Sequence, residues 1–345
     1  MTDGCGKNKL RVGIVGCGRI TETRHAPEYA ACENAEIIGY FDFKEERAAA
    51  LAERFGGRVF SSAEELLACP EIDAVSVCTA NATHAAVTVA ALRAGKHVLC
   101  EKPMATTLSE CREMLAVAKE SGKRLALAHN QRMNTAHRTA RELLSSGAIG
   151  RPLTFKSCFG HSGPDNWSVD AGTGNWFFDK ARSAFGAVAD LGIHKIDLVR
   201  FLLGSEIEAV DAMLGTLDKC YSDGTPVSVD DNAVILCRMR NGVRGAVTVS
   251  WTYYAEEEND TTVYGTEGRM QIDPAAGCIT LTKKGGVTER ILVPQGTTTG
   301  VIDAFVSSVL DGTPCDLDAE VLFPSMQAMM AAIECDAEGK RMTLS

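Results

Sequence analysis

Two groups of residues have the types and spacing that chemistry needs. The first is Glu101-Lys102-Pro103, which follows the apolar run Val98-Leu99-Cys100 and puts a cation at the carboxyl end of a predicted strand. In an open parallel sheet that edge is where ligands bind. On the tripeptide alone, Lys102 reads equally well as a residue facing a ligand and as a solvated loop lysine paired with Glu101. The second group is Asp190-Leu191-Gly192-Ile193-His194-Lys195-Ile196-Asp197. Asp190, His194 and Asp197 stand at i, i+4 and i+7, one face of a helix. A histidine flanked by two carboxylates in apolar surroundings is oriented and kept basic, as a general base must be. A metal site competes, but there is one histidine and no second cluster to complete it. A core histidine with helix-capping aspartates fits the same pattern.

A glycine loop stands upstream of both. Val12-Gly13-Ile14-Val15-Gly16-Cys17-Gly18-Arg19-Ile20 places Gly-x-Gly after a strand and before a helix, where backbone amides can approach a pyrophosphate. Thr21 occupies the position of the usual third glycine. Asp42 ends the next predicted strand, where an acid accepts the ribose hydroxyls of an adenosine half. That favours NAD over NADP, with Lys44 offsetting some repulsion of a 2'-phosphate. Asp42 as N-cap of the following helix is compatible with the same sequence. In Cys78-Thr79-Ala80-Asn81-Ala82-Thr83-His84, Asn81 can hold a cofactor at the ligand edge, or Asn81 or Thr83 can cap a helix. His84 reads as a helix-start residue rather than a base.

The elements that must position these residues change character along the chain. Apolar runs at Leu10 to Val15, Ile37 to Phe41, Ala74 to Cys78, His97 to Cys100 and Leu125 to Ala128 predict strands. Helical stretches at Thr21 to Ala31, Lys44 to Phe55, Ala63 to Cys69, Thr83 to Ala94 and Leu108 to Ser121 lie between them. Such alternation gives an α/β, doubly wound Rossmann domain, placed at residues 1–129. Residues 130–345 read as an α+β domain with a large, mostly antiparallel open sheet. It has a helix at Ala136 to Ser145, a strand at Pro152 to Phe159, a long loop from Gly160 to Asn175 and a helix at His194 to Leu203. Extended runs follow at Glu208 to Leu217, Asn232 to Arg240, Arg244 to Trp251, Thr261 to Tyr264, Arg269 to Asp273 and Ile279 to Thr282. Turns Asn241-Gly242 and Lys284-Gly285-Gly286 separate some of them. Helices at Val301 to Leu310 and Ala319 to Ala337 close the chain.

Composition bounds the partners. With 345 residues the chain is long enough for about two domains. A net charge of -10 argues against a nucleic-acid or anionic-membrane partner. No apolar stretch is long enough to span a bilayer, and Met1-Thr2-Asp3-Gly4-Cys5 does not open a leader, so a cytoplasmic protein is expected. The 13 cysteines are scattered singly without metal-site spacing, which points to reduced thiols and no structural zinc.

Gly16-Cys17-Gly18-Arg19-Ile20, Asn81-Ala82-Thr83-His84, Ala94 to Pro103, Asn175-Trp176-Phe177-Phe178-Asp179, Asp190 to Asp197 and Gly265-Thr266-Glu267-Gly268 together resemble the Gfo/Idh/MocA oxidoreductases, over nearly the whole length. The resemblance implies an NAD(P)-dependent dehydrogenase acting on a sugar, cyclic polyol or related hydroxy compound, with a second-domain sheet that builds homodimers or homotetramers. It implies Lys102 beside the nicotinamide, His194 as acid/base and Asp190 as its partner or a substrate ligand. Cofactor contacts are expected from Gly16, Gly18, Arg19, Ile20, Asp42, Thr79, Asn81, His84, Glu101 and Lys102. Substrate contacts are expected from Lys102, Arg132, Trp167, Trp176, Asp190 and His194, although Arg132 can equally cap a strand end. Trp251, Tyr253 and Tyr254 can present aromatic faces to a sugar ring or sit in a core. The loop with His161, Asp165, Asn166 and Trp167 shapes the pocket in this reading. Ala80, where many members have proline, and Thr21 depart from the family pattern. Two rivals share the architecture: an NAD-dependent glycosidase that oxidises transiently, and a non-catalytic dinucleotide-binding sensor.

Overall fold

The computed structural model describes residues 9–344, so the opening residues read above for a leader lie outside the described part. The chain divides into two compact units. One holds the residues up to 105, 109–128 and 298–321; the other holds 106–108, 129–297 and those from 322 on.

In the first unit β1 (Leu10–Val15), β2 (Ala35–Phe41), β3 (Arg58–Val59), β4 (Ala74–Val77), β5 (His97–Cys100) and β6 (Leu125–Leu127) form a parallel sheet in the order β3-β2-β1-β4-β5-β6. Leu10, Val12, Ile14 and Val15 of β1 are all buried, as expected for a strand covered on both faces. The crossovers are α1 (Ala26–Ala31), α2 (Glu45–Phe55), α3 (Ala63–Ala68), α4 (His84–Arg93) and α5 (Leu108–Ser121). The helix expected over Thr21 to Ala31 is in two parts, a π turn at Thr21–His25 and then α1. The strand order reverses between β1 and β4, which makes their carboxyl ends the binding crevice of this fold.

The second unit is built on a nine-stranded sheet. It comprises β7 (Pro152–Gly160), β8 (Ile207–Gly215), β9 (Asn232–Met239), β10 (Arg244–Ser250), β11 (Thr261–Gly265), β12 (Gly268–Asp273), β13 (Cys278–Lys283), β14 (Thr288–Leu292) and β15 (Met342–Thr343), in the order β14-β13-β12-β11-β7-β10-β9-β8-β15. All neighbours are antiparallel except β7 and β10, which run parallel. Gly242, at φ 85°, turns the β9–β10 hairpin. The helices here are α6 (Asn130–Met133), α7 (Thr135–Ser145), α8 (Pro164–Trp167), α9 (Lys180–Ser183) and α10 (Ile193–Leu203), the last continuing a π turn at Val188–Gly192. The loop expected from Gly160 to Asn175 thus contains a short helix. Alternation along β9 buries Ala233, Ile235 and Cys237 and leaves Val234 and Leu236 exposed.

Two helices remain, α11 (Val301–Asp311) and α12 (Ala319–Glu338). The sequence placed everything after residue 129 in one domain; residues 298–321, with α11, instead belong to the first unit. The Leu127 amide donates to the Leu317 carbonyl at 2.8 Å, Arg124 pairs with Asp318 at 2.6 Å, and Thr299 donates its amide and hydroxyl to Glu28 at 2.9 and 2.7 Å. The Leu127–Leu317 bond covers the edge of β6, whose backbone would otherwise lack a partner there. Among the described residues no helix is long and apolar enough to cross a membrane.

Candidate active site

At the carboxyl end of β1, Gly16 has φ 95°, and a Cβ there would stand 2.4 Å from the Cys78 carbonyl oxygen, so only glycine fits. A Cβ at Gly18 would meet nothing within 4 Å. The loop is thus closed on the protein side and open on the other, which is the cradle a pyrophosphate needs. Thr21 is compatible with it: its buried hydroxyl donates to the Gly16 carbonyl at 2.6 Å and closes the loop from within. Asp42 accepts the Cys17 amide at 2.7 Å and the Lys44 amide at 2.8 Å. The N-cap of α2 is Lys44, not Asp42. Arg19 is exposed and pairs with Glu22 at 3.0 Å, and Ile20 is half-buried beside it. After β4, the Thr83 hydroxyl donates to that of Thr79 at 2.8 Å, and buried Asn81 opens a short turn, Asn81–Thr83.

Lys102 follows β5 on a backbone pinned from below. Buried Glu101 accepts His25 Nε2 at 3.0 Å on one oxygen and the Lys102 amide at 3.0 Å on the other. His25 Nδ1 stands 3.2 Å from the Ser76 hydroxyl, which meets Tyr29 at 2.8 Å. Burial pulls the His25 imidazole down, but Cys78 and Glu101 outweigh it and raise it to about 10. Burial likewise pushes Glu101 up, and His25 and Lys102 bring it below the usual carboxylate range. Glu101 therefore faces His25 and the backbone, and its negative charge is used inside the fold. His84 is likewise engaged by the fold. Its ring nitrogens lie 2.7 Å from the Pro103 carbonyl and 3.1 Å from that of Thr79, stapling the loops after β4 and β5. Burial, aided by Lys102, lowers its imidazole despite the two carbonyls.

In the second unit Asp190 lies in the π turn and His194 in α10, both buried. Asp230 fixes the start of this helix by accepting the Gly186 amide at 2.8 Å and the Val188 amide at 2.7 Å. Asp190 thus lies in the π turn and His194 and Asp197 in α10. Asp190 accepts the indole N–H of Trp251 at 3.1 Å and lies 4.0 Å from His161 Nε2. His161 Nδ1 accepts the Gly163 amide at 2.9 Å, so its proton sits on Nε2, toward Asp190. His194 packs against the rings of His129 and Phe159, each 6.1 Å away between centroids. Asp197 is fully buried, bound by Arg132 at 2.6 and 2.8 Å, Arg200 at 3.2 Å and Ser325 at 2.7 Å. Burial, which would raise this carboxyl, is overcome by His129 and Arg132, and it is held well below the usual range. Arg132 is thus a structural partner of Asp197.

The aromatic residues form one chain of contacts. Trp176 stacks on Phe177 at 3.9 Å, and Trp167 meets Phe177 edge-on at 5.1 Å and His161 at 6.2 Å. Trp251 is fully buried and orients Asp190 rather than offering a face to a ligand. Tyr254 bonds Asp218. Sequence reasoning did not find Lys219, which ties this wall together by bonding the Ser162 carbonyl at 2.7 Å and Asp165 at 2.8 Å. No local pattern signals it, since its partners lie more than fifty residues earlier.

Cys158, Glu258 and Asp260 bring ligand atoms within 4.8 Å of one another, a grouping no sequence spacing reveals. Burial raises the Cys158 thiol, which donates to Glu258 at 3.5 Å.

Residues 10–129 match an oxidoreductase family with an NAD-binding Rossmann fold, and residues 137–271 match the GFO/IDH/MocA C-terminal domain. The chain belongs to the GFO/IDH/MocA oxidoreductase family. As a member it is an NAD-binding oxidoreductase. It is 31% identical over 308 residues to 1,5-anhydro-D-fructose reductase of Ensifer adhaerens, covering 87% of this chain and 88% of the relative. It is 27% identical to myo-inositol 2-dehydrogenase of Thermotoga maritima, over 76% of this chain and 75% of that one. Among solved structures, GenD2 from gentamicin A biosynthesis, in complex with NAD, superposes with a TM-score of 0.85 at 28% identity, over 100% of this chain and 99% of that one.

Proposed function

We propose that this family member transfers a hydride between NAD and a carbinol carbon of a sugar or cyclic polyol, with Lys102, Asp190 and His194 as its catalytic residues. The observations that carry the reading are, in the first unit, a glycine loop in which a Cβ at Gly18 would meet nothing within 4 Å and, in the second, a buried histidine, His194, and a buried carboxylate, Asp190, held by the Trp251 indole. The amides of Gly18, Arg19 and Ile20 would hold the pyrophosphate, Asp42 the ribose, and Thr79 and Asn81 the far side of the crevice. Bound there, the nicotinamide supplies the hydride acceptor or donor. His194 takes the hydroxyl proton as the carbinol is oxidised. Lys102 stabilises the developing alkoxide, an electrostatic effect worth several kcal/mol in such sites. Asp190, held by Trp251 and facing His161, orients the substrate hydroxyls, with Trp167 and Trp176 as the aromatic wall.

The carboxylate of Asp42 at the end of β2 supports NAD over NADP, because a 2'-phosphate would meet a like charge. The free thiols at every described cysteine support a reducing compartment, which favours the cytoplasm. The open sheet face with exposed Met213, Val234 and Leu236 supports a homodimer or homotetramer.

The test is the near-ultraviolet absorbance of reduced nicotinamide with NAD and with NADP across sugars, inositols and sugar acids. The proposal expects net NADH from at least one substrate and a preference for NAD. Release of an aglycone without net NADH would favour the glycosidase, and tight dinucleotide binding with no turnover would favour a sensor.

A further inference from the structure

His129 is 1% exposed, and neither of its ring nitrogens has a hydrogen-bond partner. Nδ1 lies 3.5 Å from Asp197 Oδ2, too long for a good hydrogen bond but well within the range of a full charge at low dielectric. A carboxylate only accepts, so the proton of the neutral ring belongs on Nδ1 and the lone pair on Nε2. The other neighbour is His194, whose ring meets that of His129 edge-on, 6.1 Å away between centroids. A buried polar atom left without a partner costs about 1–3 kcal/mol, which a fold tolerates where the atom has work to do.

The Asp197 oxygen that faces His129 is also bound by Arg132. Asp197 stays ionised because Arg132 and Arg200 bind it. Lys195, next along α10, spends its ammonium on the Asp260 carbonyl at 3.3 Å, and the other face of His194 meets Phe159, which carries no charge.

We propose that His129 is a second acid/base residue, receiving at Nε2 the proton that His194 takes from the substrate hydroxyl, with Asp197 facing its Nδ1. One proton moves twice: the substrate O–H breaks as an N–H forms on His194, and that N–H breaks as one forms on His129. No electrons move beyond the hydride passed to the nicotinamide. The inference rests on the assignment of His194 above, and it explains why a histidine with a carboxylate behind it is buried beside the catalytic one.

The experiment is a pH titration of the histidine resonances in the whole protein, with carbon-13 in the imidazole rings, for wild type, His129→Gln and His194→Gln. With seven histidines in the chain, the two variants assign both signals. Coupled rings give two inflections in each curve. In His129→Gln the His194 curve keeps one, and in His194→Gln the His129 curve keeps one, so either variant suffices if the other fails to fold. With a substrate in hand, His129→Gln lowers kcat about 10- to 100-fold with KM little changed. A His194 curve identical in wild type and His129→Gln overturns the relay, as does a His129 curve untouched by His194→Gln. Full turnover in His194→Ala would instead sink the functional reading, an outcome separate from the titration.

Discussion

A charged side chain in this protein is defined less by its type than by what its polar atoms already hold. Glu101, His84 and Arg132 have the chemistry of ligand contacts, yet each is engaged by the fold, with His25, two backbone carbonyls and Asp197 respectively. Lys195 is the extreme case: a fully buried ammonium that burial lowers to about 7, against the weaker pull of Asp260. In the unfolded chain a lysine titrates near 10.4, so between about pH 7 and pH 10 the unfolded state binds the extra proton and stability rises with pH. Lys195→Met should therefore raise the melting temperature at pH 6 to 7, by a gain of about 1–4 kcal/mol as for other buried charges replaced by apolar residues. The gain should shrink toward pH 10. Melting curves of both proteins across that range check it, and a constant difference would contradict it. The types of Lys102, Asp190 and His194 were legible in the sequence. Which neighbouring polar groups point inward was not, because that depends on residues far away in the chain.

At the scale of elements the glycine loop separates fold from ligand. Gly16→Ala places a Cβ against the Cys78 carbonyl at a positive φ, so it should lower both the melting temperature and dinucleotide affinity. Gly18→Ala has room within the protein. Its melting temperature should stay within about 2 °C of wild type, the scale of a surface change under 0.5 kcal/mol, while NAD binding measured by calorimetry weakens at least about 10-fold. Unchanged NAD affinity in Gly18→Ala would remove the loop from the cofactor site. The alternation of strand and helix made most of the first sheet readable, since five of its strands are apolar runs separated by helical stretches. β3 and β15 escaped because two residues carry no alternation. β14 escaped because its residues are mostly exposed on the sheet edge. The π turn before α10 escaped because an inserted residue leaves no mark in a period of 3.6.

The chain is acidic and divides into two units, the second built on a nine-stranded sheet. Residues 298–321 join the first unit through pairing with β6 and Glu28, a long-range connection that composition along the chain does not announce. The open face carries Met213 at 70% and Leu236 at 53% exposure on neighbouring strands, and apolar side chains so placed favour self-association. Met213→Glu with Leu236→Glu should lower the mass seen by light scattering without unfolding the protein; an unchanged mass would take that face out of the interface. The central claim concerns the reaction itself. The direct measurement is the rate of NADH formation by wild type, Lys102→Ala and His194→Ala on the best substrate of the panel, with NAD binding measured alongside. The account predicts that both variants still bind NAD but lose about 100- to 10,000-fold in kcat; either variant turning over at the wild-type rate would contradict it.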